Sequence, residues 1–333
     1  MTDSREVEVG APSIERAWQW HRFQSRWIPG RFATRLARRA LRAWGAPVVV
    51  RLPAGFRMRL DLRDDIQCTI ARNGEWEGEI FDACAALVRP GDTVLDVGAH
   101  VGYASLRFAQ WVGAGGRVIA FEPLPAHLAA VRENLELNGW LDRASLVAAA
   151  ASDRSGEAHF AVRDGLNLGV GALAAGPASR TAASVAGTGT HNAPIAGSVA
   201  DTVVATVAMD DWLDAEPDRR RVAHIALCKI DIEGAEGLAL RGLSRSLAAH
   251  RIDALLVELH PATLPDFGDT VDGIVRLCAS QGYRIRWWNN AGAFVAPPAP
   301  AGATYMLALA PGVSADRDPV VQPAAKAVAE PGA

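Results

Sequence analysis

Lysine is almost missing from this 333-residue chain: of 34 basic residues only Lys229 and Lys326 are lysines, and the rest are arginines. Against 37 acidic residues the net charge is -3, which excludes bulk attraction to nucleic acid. Cysteine is scarce too. Cys68, Cys84, Cys228 and Cys278 stand apart among apolar neighbours with no Cys-x-x-Cys, which excludes a disulfide framework. Buried reduced thiols and a cytoplasmic protein are expected instead. No apolar run reaches the length of a membrane span, and neither a signal peptide nor an internal repeat is visible. What is present is bulk hydrophobicity, 50% of residues, in a chain long enough for one large α/β domain with extensions.

Charge and complexity divide the chain into three parts. Residues 1–50 hold nine arginines against Asp3, Glu6, Glu8 and Glu15. Arg35, Arg38, Arg39 and Arg42 fall near one face of a helix whose other face carries Phe32, Leu36 and Leu41. With Trp18, Trp20, Trp27 and Trp44 interleaved, the pattern fits peripheral contact with an anionic membrane, here the inner membrane face, through residues 16–44. It equally fits a helix that packs on the domain and exposes its arginines. Residues 1–45 are therefore a basic amphipathic extension, 46–310 the folded domain, and 311–333 a disordered tail poor in large apolar side chains. Within the domain, residues 165–200 are rich in Gly, Ala, Ser and Thr and read as a long loop or flap.

The densest local signal is the run from Thr93 to Gly102. An apolar strand ends in Asp96-x-Gly98, Gly102 follows, and an amphipathic helix begins. At such a strand-to-helix crossing, glycines let a ligand approach the backbone. The spacing differs from the Gly-x-Gly-x-x-Gly that cradles a pyrophosphate, and the acid within it would repel one. A carboxylate there suits a ligand bearing an ammonium and a sulfonium, as S-adenosylmethionine does; Asp96 also fits an acid capping the next helix. A second strand, Arg117 to Phe121, ends at Glu122, some two dozen residues past Asp96, where Rossmann-like folds offer a carboxylate to ribose hydroxyls. Pro125 suits a first helical position, and Leu128, Val131 and Leu135 recur at helical spacing up to Asn138-Gly139.

Further on, Ser145–Ala150 suits a third strand, and Ala158–Val162 and Thr202–Val207 suit an antiparallel pair across the loop. His224–Asp231 and Ala254–Pro261 read as strands, Asp272–Ser280 as a helix, and Tyr283–Trp288 and Thr304–Leu309 as the last strands. Lys229-Ile-Asp-Ile-Glu-Gly-Ala-Glu236 puts one lysine and three acids at a strand end, the edge where ligands bind. A lysine within a strand of an arginine-using chain argues for a compact ammonium, or for a structural pair with Asp231 or Glu233.

Six stretches in order resemble the FkbM family of S-adenosylmethionine-dependent methyltransferases. They are Leu95–Tyr103, Val118–Pro123, Ala151–Gly156, Asp210–Leu213, Lys229–Glu236 and Val257–His260, running from about residue 70 to 290. His100 departs from the asparagine frequent in the family, and residues 1–45 lie outside the resemblance. The resemblance implies a class I methyltransferase fold (α/β, Rossmann-like), a mainly parallel seven-stranded sheet with helices on both faces. It implies that Asp96, Gly98, Ala99 and Gly102 line the methionine end of S-adenosylmethionine, that Glu122 and Pro123 meet the ribose, and that Ser152 and Asp153 lie near adenine. Glu77, with Glu75, would close over the amino-acid part.

Family members mostly methylate oxygen, on sugars, glycolipids or polyketide-like products. A protonated hydroxyl is a poor nucleophile, so a base is expected. Asp231 or His260 is the expected base and Lys229 an orienting partner, with Glu233 and Glu258 as further candidates at the strand ends. The chemistry requires no metal, although Asp231, Glu233 and Glu258 have the oxygen ligands a divalent ion uses. N- or C-methylation, a catalytically silent cofactor-binding or membrane-attached scaffold, and a nicotinamide oxidoreductase are the competing readings. Trp287 and Trp288 suit stacking on a sugar or packing in a core.

Overall fold

The computed structural model describes residues 6–11, 14, 47–163, 171–173, 199–217, 222–289 and 291–320. The basic segment 16–44, most of the loop 165–200 and the terminal residues 321–333 lie outside these. In chain order, β1 (Glu6–Val7), β2 (Val48–Arg51) and β3 (Arg57–Leu60) form a small sheet, followed by α1 (Asp65–Asn73) and α2 (Gly78–Cys84). The alternating unit expected from the sequence comes next: β4 (Thr93–Val97), α3 (Tyr103–Val112), β5 (Arg117–Phe121), α4 (Pro125–Leu137) and β6 (Ala144–Val147). A four-stranded excursion follows, of β7 (Ala150–Ser152), β8 (Gly156–Arg163), β9 (Gly171–Leu173) and β10 (Val199–Ala208). The antiparallel pairing of β8 with β10 is as expected, with Ala158 opposite Val204. The chain then returns through α5 (Met209–Ala215), β11 (Leu227–Ile230), α6 (Glu236–Gly242), α7 (Ser244–Ala248), β12 (Ala254–Glu258), α8 (Val271–Ser280), β13 (Arg284–Trp288), β14 (Phe294–Val295) and β15 (Tyr305–Leu309).

The main sheet runs β14-β13-β15-β12-β11-β4-β5-β6, with β6, β5, β4, β11 and β12 mutually parallel and β15 antiparallel to β12. Strands buried on both faces read as continuous apolar runs, and every residue of β4 and β15 is buried. Eight strands stand where seven were expected. The extra one is β14, two residues folded back on Trp287 and Trp288. Asn289 Oδ1 accepts the amides of Ala291 and Ala293, both at 3.0 Å, and this turns the chain. Two residues are too few to show a period, so β14 left no mark in the pattern. Trp287 is buried in the core and Trp288 packs edge-on to Phe294 at 5.0 Å, which favours packing for both tryptophans.

Residues 311–320, expected to belong to a disordered tail, are instead held on the domain. Arg286 Nη2 holds Asp318 Oδ2 at 2.7 Å, Arg317 reaches Asp253 at 3.2 Å and the Leu87 carbonyl, and Val313 is buried. These charge pairs anchor a stretch whose low hydrophobicity alone suggested disorder.

Helix α1 carries a pH-sensitive cap. Asp64 Oδ1 accepts the Gln67 amide at 2.9 Å, while Oδ2 has no hydrogen-bond partner among the described residues. Burial pushes the Asp64 carboxyl up from 3.8 to about 6. A carboxyl whose folded pKa is raised stabilises fully below its unfolded value. That stability is lost as pH climbs from about 4 to about 6. Asp64→Asn keeps the cap acceptor without the charge. It is expected to match the parent at pH 4 and to exceed it at pH 8 by about 1–3 kcal/mol in urea unfolding. Equal stabilities at pH 8 would refute this.

Candidate active site

Strand order reverses between β4 and β11, so a crevice opens beyond their carboxyl ends. The two glycine-bearing loops meet there. Gly98 has φ +85°, and a Cβ on it would lie 2.0 Å from the Asp231 carbonyl oxygen. The amides of Gly98 and Ala99 both donate to the Phe121 carbonyl, at 3.0 and 3.1 Å, and the Gly102 amide donates to the Ala99 carbonyl at 2.8 Å. Gly102, at φ +92°, then starts α3. The loop is thus strapped to β5 on one side and pressed against the β11 loop on the other.

Glu122 is buried at the tip of β5 beside this loop. Its Oε2 accepts the His100 amide and its Oε1 the Leu124 amide, each at 2.9 Å. His127 Nδ1 stands 3.5 Å from Oε1. Two amides fix the carboxylate and still leave lone pairs for further hydrogen bonds. His100 takes φ +50° and meets His127 edge-to-face at 4.8 Å. Burial drives its imidazole pKa down to about 3, so the ring is neutral, and its Nε2 has no hydrogen-bond partner among the described residues. Pro123, which follows Glu122 in the chain, is half-buried.

Lys229 and Asp96 are register partners on neighbouring strands. Lys229 Nζ lies 3.1 Å from Asp231 Oδ2 and 3.9 Å from Asp96 Oδ1. Asp96 is fully buried; its Oδ2 accepts from Ser105 Oγ at 2.5 Å and its Oδ1 has no hydrogen bond among the described residues. Burial raises the Asp96 carboxyl. Burial alone would pull the Lys229 ammonium down, but Asp231, Asp96 and Glu77 outweigh it and hold the lysine charged. Burial likewise opposes the Asp231 carboxylate, and Lys229 with His260 overcomes it, so its pKa is lowered.

Beyond Asp231 lies a second cluster. His260 Nδ1 contacts Glu236 Oε1 at 2.8 Å and its Nε2 lies 3.7 Å from Glu233 Oε2. Burial disfavours the imidazolium, yet the Glu236 hydrogen bond and the fields of Glu233, Glu236 and Asp231 lift its pKa to about 10. Tyr305 donates its hydroxyl to Glu258 Oε2 at 2.6 Å across the β12–β15 rung. Burial, then Asp231 and Glu77, push the Glu258 carboxyl well up. Glu77, the N-cap of α2, is raised to about 7 by burial and by Asp231, against a hydrogen bond with Tyr305. Four non-glycine residues among those described have positive φ, and three of them, Glu77, His100 and Glu233, line this crevice. Such strain persists where the surroundings over-determine it, often at functional sites.

Asp96, Gly98, Ala99, Gly102 and Glu122 therefore share one loop system, and Glu77, Lys229, Asp231, Glu233 and His260 adjoin it. Ser152 and Asp153 sit apart at the end of β7, where Asp153 faces Arg154 at 3.1 Å and Arg241 at 4.0 Å. Tyr305 and Glu236 were missed from sequence. Glu236 lay inside the singled-out motif, whereas Tyr305 begins an antiparallel strand and carries no motif.

The family description "Methyltransferase FkbM domain" matches residues 96–285. Protein-L-isoaspartate O-methyltransferase 1 of Arabidopsis thaliana is 36% identical over 88 residues, 26% of this chain and 38% of that protein. Mouse catechol O-methyltransferase is 32% identical over 80 residues, 24% of this chain and 30% of that protein. The chain thus spans less than two fifths of the length of these curated relatives. A crystal structure of methyltransferase FkbM from Methylobacillus flagellatus aligns with a TM-score of 0.38 at 13% identity, covering 92% of this chain and 90% of that one. The family match spans more than half of the chain and takes in both glycine loops, Glu122 and the Lys229–His260 cluster: the chain belongs to the FkbM family of S-adenosylmethionine-dependent methyltransferases.

Proposed function

We propose that this protein moves a methyl group from S-adenosylmethionine to a hydroxyl oxygen of a small-molecule or glycan acceptor, held over the carboxyl ends of β11 and β12. The observation that carries this reading is the packing of the Gly98 loop directly on Asp231, which joins a cofactor cradle to a cluster of acid, lysine and imidazole. The loop suits the cofactor: Gly98 lets it pack against the Asp231 backbone where a Cβ would clash, and Asp96 Oδ1 and His100 Nε2 are buried polar atoms without hydrogen-bond partners among the described residues. Asp96, Gly98, Ala99 and Gly102 would hold the methionine part, Glu122 and Pro123 the ribose, Ser152 and Asp153 the adenine side, and Glu77 would close over the amino-acid end. S-adenosylmethionine supplies an electrophilic methyl group on a cationic sulfur.

The protein's own part is to orient the acceptor and take its proton. Asp231 receives the hydroxyl proton, because His260 Nδ1 is committed to Glu236 and its Nε2 faces Glu233. Lys229 holds the Asp231 carboxylate in place through Oδ2. Glu233 and His260 border the acceptor on the far side. Among the described residues no helix is long and apolar enough to cross a membrane. The arginine-rich segment 16–44 supports a peripheral membrane contact, which suits a glycolipid acceptor.

Methyl-labelled cofactor incubated with sugar, glycolipid and polyketide-like hydroxyl acceptors tests this, with the product position read by NMR. Asp231→Asn is expected to slow transfer by ~10²–10⁴-fold. Its affinity for S-adenosylhomocysteine should change little. Label on nitrogen or carbon, or an Asp231→Asn rate equal to the parent, would overturn the assignment.

A further inference from the structure

We propose that Asp231, Glu258 and His260 bind one divalent metal ion beside the acceptor position, with Glu236 as the carboxylate that orients His260. The inference rests on the acceptor site described above. One donor atom from each of the three residues lies within 4.8 Å of the other two, and all three residues are half-buried. A side-chain adjustment of roughly a few tenths of an ångström brings such a set to coordination distance. The donors come from the tips of two neighbouring parallel strands: Asp231 follows β11, Glu258 ends β12, and His260 lies two residues on.

Two observations outside the donor set point to a cation. The first is Glu236, whose side chain is fully buried. Its Oε1 contacts His260 Nδ1 at 2.8 Å and accepts the Gly234 amide at 2.9 Å, while Oε2 has no hydrogen-bond partner among the described residues. A buried carboxylate with an orphaned oxygen is costly unless the ring it holds carries or shares positive charge. Holding Nδ1 leaves Nε2, 3.7 Å from Glu233 Oε2, as the nitrogen that would give up its proton to an incoming ion, the carboxylate–imidazole pairing that orients metal-binding histidines. The second is the closeness of Glu258 to Asp231 and Glu77, in a site where Lys229 already engages Asp231 Oδ2. Even with Lys229 and His260 both charged, the carboxyls of Asp231, Glu77, Glu233, Glu236 and Glu258 outnumber the cations, and a divalent ion answers that imbalance.

Two carboxylates and one imidazole favour a transition ion such as Mn²⁺ over an all-oxygen calcium site. An ion held by three protein ligands keeps positions open for water or an acceptor oxygen, whose pKa it would lower. This adds a second means of activating the hydroxyl beside Asp231.

The full chain, freed of metal by chelation, is titrated with Mn²⁺ and followed by loss of the free-ion EPR signal. A single Mn²⁺ per chain is expected, with a dissociation constant below about a millimolar. His260→Gln and Glu258→Gln should each weaken it at least tenfold, and Glu236→Gln by about 10–100-fold. Melting curves identify any variant that fails to fold, and the isosteric Glu→Gln changes are least exposed to that failure. No saturable Mn²⁺ binding, or binding unchanged in folded His260→Gln and Glu258→Gln, would overturn the site. S-adenosylhomocysteine is titrated into the same samples. Its binding without Mn²⁺ binding removes the ion and leaves the transferase reading intact. Mn²⁺ binding without hydroxyl methylation upholds the ion and removes the acceptor assignment.

Discussion

Gly98→Ala is expected to abolish measurable binding of S-adenosylhomocysteine and to lower stability by about 2–5 kcal/mol. The added Cβ would stand 2.0 Å from the Asp231 carbonyl oxygen and 3.0 Å from Ile232 Cγ2. Neither backbone can retreat. The Gly98 amide is tied to Phe121 and the Asp231 amide to the Val97 carbonyl at 3.1 Å, so relief would unpick the sheet at its switch point. The residue also sits at φ +85°, where an L-residue with a side chain is strained. Gly102→Ala is the internal control. It shares a positive φ, but its Cβ would meet Val131 Cα at 3.2 Å, a contact that α4 can yield to by a few tenths of an ångström. Calorimetric titration and thermal melts of both variants check the order. A Gly98→Ala protein that binds and melts like the parent would refute the close-contact account of the cradle.

Lys229→Met is expected to cost about 3–5 kcal/mol in urea unfolding, because removing one partner of a buried ion pair strands the others. Here two carboxylates are stranded. Asp96 is fully buried and has only the Ser105 hydroxyl left, and Asp231 loses its 3.1 Å partner. Lys229→Arg should recover only part of the loss, since a planar guanidinium does not fit the place of a compact ammonium between two strands. Neutralising Asp96 in the same chain, as Lys229→Met with Asp96→Asn, should return some of it, and the double-mutant cycle reads the coupling directly. A loss below about 1 kcal/mol for Lys229→Met would show that the lysine is solvated in a way its burial denies.

The alternating unit from Thr93 to Leu137 was legible from sequence because each element declares itself locally. Strand residues are continuously apolar, Pro125 sits at a helix start, and Leu128, Val131 and Leu135 repeat at helical spacing. Glu122 was legible for the same reason, as the acid that ends a strand. Lys229 stood out through composition rather than pattern. The two-residue strand β14 and the charge-anchored stretch up to Asp318 escaped, one being too short for any period and the other held by pairs with Arg286 and Arg317.

By itself, then, the sequence determined which residues start and end the central strands, and so which polar groups stand at the ligand-binding edge. The tertiary structure decided their partners. Lys229 faces Asp96 because of the register between β11 and β4, and Gly98 touches Asp231 because the two loops cross at the switch point. Tyr305 reaches Glu258 because β15 runs antiparallel, so its first residue arrives at the edge where its neighbour ends. Periodicity and caps are set by residues a few positions apart. Cross-strand pairing and the division of the two His260 nitrogens between Glu236 and the crevice depend on hydrogen bonds between residues more than twenty positions apart, which no local pattern contains.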